Sequence, residues 1–190
     1  MMLVRALGVA AILGFMAQPA LAQAVPQQDQ EFAQKAAEGG LMEVQLGQLA
    51  QQQAKDEQVA EFGQRMVQDH GQANEKLMAI AAQKAIQLPQ ELSGDAQQKY
   101  EEMQQLSGAE FDEAYMDEMV EDHEKDIELF EQQAESGEDP DLRTFAEGAL
   151  PTLREHLEHA KQVQSQITAA REDRPEENHA ARSGAAERTG

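Results

Sequence analysis

The chain has 190 residues, with 36 Asp plus Glu against 15 Lys plus Arg, for a formal net charge of −21. A surface of that sign repels phosphate backbones and anionic lipid, which excludes nucleic-acid binding as a main role. Cysteine is absent, so disulfide scaffolds, thiol nucleophiles, thiolate metal sites and cysteine-ligated iron–sulfur clusters are all excluded. Two Tyr, six Phe and no Trp, amid abundant Ala, Gln, Glu and Met, favour helix over sheet.

Residues 1–22 read as a secretory signal. Arg5 precedes an apolar run of 11 residues from Ala6 to Met16, and Ala20-Leu21-Ala22 offers the small-x-small pattern of a cleavage site. The run is short for a helix that needs ~20 residues to span a bilayer. Cutting after Ala22 leaves 168 residues starting at Gln23, and a second small-x-small site at Ala22-Gln23-Ala24 would start the chain at Val25. The expected destination is the periplasm, or the medium in an organism without one, with no stable membrane insertion after cleavage.

After a lead-in at 23–28, apolar residues recur at three- and four-residue spacing and predict four long helices over 29–168. The first presents Phe32, Ala36, Gly39, Glu43, Leu46 and Ala50 on one face. Asp56 is suited to cap the second, whose face reads Val59, Phe62, Met66, His70, Ala73, Leu77 and Ala81. A central connection over 87–107 carries a short amphipathic helix beginning near Ser93. Ser107 with Glu110 fits a capping box for the third long helix, which presents Phe111, Tyr115, Met119, His123, Ile127, Phe130 and Ala134. Asp139-Pro140 opens the fourth, with Leu142, Phe145, Ala149, Leu153, His156, Ala160, Val163 and Ile167 inward; Pro151 should bend it. The fold expected is an all-α antiparallel four-helix bundle. The polar stretch 169–190 is expected to be disordered.

The second and third long helices share Met-Val-x-Asp-His, at Met66–His70 and Met119–His123, and Glu155-His156 is a looser version in the fourth. Three histidines thus sit on three apolar faces, with Glu43 in the equivalent position on the first helix. Imidazole and carboxylate are ligands for Zn, Fe, Mn or Cu, and facing helices of a bundle commonly assemble them. Glu43, His70, His123 and His156 are therefore candidate metal ligands, with His159, one turn beyond His156, as a fifth. Asp69, Asp122 and Glu155 point about 100° away and suit partners of the histidines better than ligands. The competing reading is a hydrogen-bonded His/Glu core in a non-catalytic envelope protein that binds a partner. The positions three residues before the histidines are Val67, Val120 and Leu153, so the Glu-x-x-His pairs of di-iron bundles are missing. One Glu and three His suit a mononuclear site. Hydrolase or oxidase chemistry would need a base, for which Glu155 and Asp122 are the nearby groups. The 11 acidic residues between Glu110 and Glu131 read as a solvated face.

The stretches FAQKAAEGGLMEVQLGQLA, VAEFGQRMVQDHGQANEKL, LSGAEFDEAYMDEMVEDHEKDIELFE and LRTFAEGALPTLREHLEHA resemble a bacterial exported family of unknown function, often labelled "predicted outer membrane protein" and assigned to the ferritin-like superfamily. The resemblance spans about residues 27–165. It implies a ferritin-like bundle, an export route and a metal-compatible interior, and it supplies no reaction. Glu43, His70, His123, His156, the Asp-His pairs and Leu150-Pro151-Thr152-Leu153 match characteristic positions of that family.

Overall fold

The computed structural model describes residues 24–172, so the signal sequence expected at 1–22 and the tail after residue 172 lie outside the described residues. Five helices follow one another: α1 (Gln27–Gln53), α2 (Glu57–Lys84), α3 (Gly94–Met103), α4 (Gly108–Ser136) and α5 (Pro140–Glu172). The four long ones form a bundle-like core and α3 lies in the central connection, giving an all-α fold. Helix α5 continues to Glu172, so residues 169–172 are helical rather than disordered as expected, and Arg171 pairs there with Glu113 of α4.

The helix starts divide into two kinds. Asp56 accepts a hydrogen bond from Gln58 N at 2.9 Å, and Asp139 Oδ1 accepts from Asp141 N and Leu142 N at 3.0 and 3.1 Å, as side-chain caps should. Ser93 and Ser107 do not cap with their side chains, so the capping box expected at Ser107 and Glu110 does not form. Each serine is followed by a glycine with positive φ, +52° at Gly94 and +62° at Gly108, and this left-handed turn leads the chain into the helix instead. Ser93 Oγ donates to Glu38 Oε1 of α1 at 2.9 Å.

Within each hairpin the helices run antiparallel. In α1–α2, Gly47 lies against Gly63: a Cβ on Gly47 would stand 2.6 Å from the Gly63 carbonyl oxygen, so only glycine permits this approach. In α4–α5, Lys161 pairs with Glu124 and Arg154 with Glu131. Two buried aspartates then pin one hairpin to the other. Asp29, near the start of α1, accepts from Gln133 Nε2 (2.6 Å), Asp139 N (2.8 Å) and Glu138 N (3.2 Å) at the α4–α5 turn. Asp112, near the start of α4, accepts from Lys55 N and Asp56 N, both at 2.9 Å, at the α1–α2 turn. Each carboxylate satisfies backbone donors that a tight turn leaves without partners.

The apolar core is split in two. One half gathers Leu46, Phe62, Met66, Phe111, Tyr115, Met119 and Val163 with their neighbours. The other gathers Phe32, Leu77, Phe130, Leu142, Ala146 and Leu153 with theirs. His70, His123 and His156 lie between the two halves in sequence on their helices, and Glu43 stands next to Met42 of the first half on α1, so a polar layer sits at the junction. Helix α5 remains continuous through Pro151. That residue is exposed, as is Glu147, whose carbonyl loses its partner there, so water can satisfy it.

Candidate metal centre

Glu43, His70, His123 and His156 are all buried, at 1%, 6%, 0% and 0% exposure, and each comes from a different long helix. The three imidazole rings form a nearly equilateral triangle, with centroids 5.3 to 5.5 Å apart. Each histidine offers one ring nitrogen within 4.8 Å of the others, so the cluster could hold a metal ion. Glu43 bridges two of them: Oε2 is 2.6 Å from His70 Nδ1 and Oε1 is 3.5 Å from His123 Nε2.

The hydrogen bonds around the cluster fix which nitrogens carry protons. His123 Nδ1 lies 2.8 Å from the Met119 carbonyl oxygen, which only accepts, so Nδ1 bears the hydrogen. His156 Nε2 lies 2.8 Å from Asp69 Oδ2. Burial works to raise the Asp69 pKa, but hydrogen bonds from His156 and Arg65 outweigh it and hold the carboxyl below its ordinary value, so it too only accepts. Burial pushes His123 and His156 down to about 4, which leaves both rings neutral at pH 7. A neutral ring with one N–H has a lone pair on the other nitrogen. The lone pairs of His123 Nε2 and His156 Nδ1 therefore face each other at 3.3 Å, with no proton between them.

Other polar atoms of the layer also lack aligned partners. Both oxygens of Glu43 and Nε2 of His70 are buried without an aligned hydrogen bond, the 2.6 Å contact between the two side chains included. Burial raises the Glu43 carboxyl to about 7, against the pull of His123. Buried polar atoms left without aligned partners are costly in a protein interior. A tetrahedral ion with ligands at ~2.0–2.1 Å sets its donor atoms about 3.3–3.4 Å apart. The separations of His156 Nδ1 and Glu43 Oε1 from His123 Nε2, 3.3 and 3.5 Å, fit that spacing. The residues present thus fit a metal on their own chemistry.

His159 does not join the cluster. Its ring packs edge-on against Phe62 at 5.4 Å, because one helical turn past His156 brings it level with the apolar half-core rather than with the polar layer. Of the carboxylates preceding the histidines, only Asp69 meets one, and that one is His156 rather than its neighbour His70. Glu155 pairs with Arg65 at 3.2 Å, and Asp122 faces Lys99 at 3.8 Å. Asp126 is a group that the sequence reading passed over. It is half-buried in the wall of a cleft that reaches Glu43, His70 and His156, and burial and the Glu43 charge raise its carboxyl to about 8. Its position three residues after His123 was the available signal, lost among the many acids of α4.

The fold has distant counterparts. The structure of the DUF305 protein from Streptomyces coelicolor superposes with a TM-score of 0.64 at 14% identity, covering 74% of this chain and 92% of that one. A DUF305 fragment from Deinococcus radiodurans gives 0.66 at 10% identity, covering 75% and 98%. These similarities speak to the fold alone. No curated protein matches the chain significantly. The family whose pattern matches residues 15–163 is the domain of unknown function DUF4142, and the chain belongs to it.

Proposed function

We propose that this protein binds one transition-metal ion inside its bundle, held by His70, His123, His156 and Glu43. The observation that carries this reading is the 3.3 Å approach of His123 Nε2 to His156 Nδ1, two rings whose other nitrogens face the acceptors Met119 O and Asp69 Oδ2. A cation between them turns a repulsive contact into two coordinate bonds and also gives the Glu43 carboxylate a counter-charge. Met119 and Asp69 hold the two rings in the tautomers that present these nitrogens, as partners of metal-bound imidazoles do. Zn, Fe, Mn and Cu all suit this donor set. A bound ion would supply Lewis-acid character at the inner end of the cleft, where Asp69 orients His156.

The ion would be bound outside the cytoplasm. The signal-like residues 1–22 support export, and among the described residues no helix is long and apolar enough to cross a membrane. The Streptomyces counterpart is itself designated a secreted protein. A ferritin-like ancestry is compatible with the bundle, but the missing Glu-x-x-His pairs favour a single ion over a di-iron centre.

The test is thermal unfolding of untagged, chelator-treated protein with added Zn, Mn, Fe or Cu. At least one metal should raise the melting temperature in a concentration-dependent way, as mass action requires, and His123→Ala should abolish the rise. If no metal shifts the wild-type transition, the cluster is a hydrogen-bonded core and the partner-binding reading replaces this one.

A further inference from the structure

A cleft of about 290 Å³ opens between α2 and α5 and runs down to the polar layer. Glu43, His70 and His156 lie along it, whereas the wholly buried His123 does not. A structural metal site is closed on all sides, so an opening here needs a reason. Asp126 stands in the wall of the cleft. Among the described residues it makes no hydrogen bond or ion pair, unlike Asp69, which is engaged by both His156 and Arg65. His70, which also lines the cleft, keeps its buried Nε2 without a partner. The cleft therefore joins solvent to the cluster through one carboxylate and one imidazole nitrogen that make no hydrogen bond among the described residues.

Resting on the metal reading above, we propose that this cleft is the loading port for a divalent cation, and that Asp126 captures the ion before Glu43 and the histidines take it. A hydrated dication cannot shed its water shell against an apolar wall without ligands to replace it. An Asp126 oxygen replaces the first water at the wall of the cleft, and the carboxyl, which burial keeps largely protonated near neutrality, gives its proton to solvent as it does so. Imidazole nitrogens and Glu43 then displace Asp126 and the remaining waters, which leave by the same opening. The chain's net charge of −21 also concentrates cations around it, an effect that raises association rates by roughly 10-fold or more. Gly148 is exposed at the rim, and a Cβ there would meet nothing within 4 Å, so a side chain can be added without disturbing the packing.

The experiment is stopped-flow loading of chelator-treated full-length protein with Zn²⁺, read by competition with a chromophoric chelator, and with Co²⁺, read by its own absorption. Gly148→Phe should plug the opening and slow association and dissociation together by at least about 10-fold while the equilibrium constant stays unchanged. Asp126→Asn should slow association by a similar factor, while Asp117→Asn, which removes an exposed charge elsewhere on α4, leaves the rate near wild type. Thr152→Trp is a second plug if Gly148→Phe loses helical content. Wild-type loading rates in the plugged protein would overturn the port, and a wild-type rate in Asp126→Asn would overturn the capture step. If the wild type loads at equilibrium but neither variant changes the kinetics, only this inference fails. If the wild type binds neither ion, the metal reading fails with it.

Discussion

Asp69 precedes His70 in the sequence, yet its carboxylate meets His156 of α5, at 2.8 Å. The chain thus uses one Asp-His pair to serve two helices, one residue lining the polar layer and the other orienting a ring that arrives from across the bundle. Arg65, one turn earlier on α2, holds the same carboxylate at 3.3 Å and reaches Glu155 as well. Removing the charge should therefore act at a distance from the cluster. Asp69→Asn is expected to weaken metal binding by roughly 10- to 100-fold without unfolding the bundle. A competition titration against a chelator of known affinity checks this, and unchanged affinity would mean that His156 needs no orientation.

The tautomers themselves are measurable. Long-range proton–nitrogen correlation of the metal-free protein at pH 7 should show His123 protonated on Nδ1 and His156 on Nε2. Both rings should remain neutral well below the ordinary histidine value of 6.5, since burial holds them near 4. An Nε2–H signal from His123 would place a proton between the rings and remove the motive for a cation.

The aspartate pins make a prediction independent of any metal. Asp112→Ala leaves the partly buried N–H groups of Lys55 and Asp56 at the α1–α2 turn without this acceptor, which should cost about 1 kcal/mol. Urea unfolding would show a lower midpoint with an unchanged slope. Asp29→Ala should behave alike at the other end of the bundle, where three donors converge.

Asp139 gives the pH dependence. Burial works to raise its pKa, but hydrogen bonds from Lys84 and from the backbone N–H groups of Leu142 and Asp141 outweigh it and hold the carboxyl below its ordinary 3.8. A lowered folded-state value means that its stabilisation is complete above about pH 4. It is lost as the pH falls through the folded-state value. Asp139→Ala should cost about 1 kcal/mol near neutrality as a lost cap. The gap in melting temperature between variant and wild type should close below pH 4, and a gap that persists there would assign the effect to packing instead.

Much of this fold is legible in helical spacing. The inward positions of Phe62, Met66, Phe111, Met119, Leu153 and Val163 follow from the 3.6-residue period, and Asp56 and Asp139 announce helix starts. Four polar residues on otherwise apolar faces are visible in the same way, because nothing else explains an inward Glu43. Relations between helices are less legible. Periodicity fixes a face to within about one residue, so it selected Gly39, whereas Gly40 is the one buried against Asn74. It cannot say that Asp69 crosses to His156, or that His159 falls level with Phe62, because both depend on how far one helix is shifted along another. Asp126 is hidden for another reason: in a run of acids, composition does not distinguish the one that turns inward.

The most direct test of the central claim is calorimetric titration of chelator-treated, untagged protein with Zn²⁺ at pH 7, repeated on Glu43→Gln, His70→Ala, His123→Ala and His156→Ala. One ion per chain is expected for the wild type and a large loss of affinity in every variant, because all four side chains converge on one interior point. Absence of binding by the wild type, or binding that survives in His123→Ala and His156→Ala alike, would contradict it.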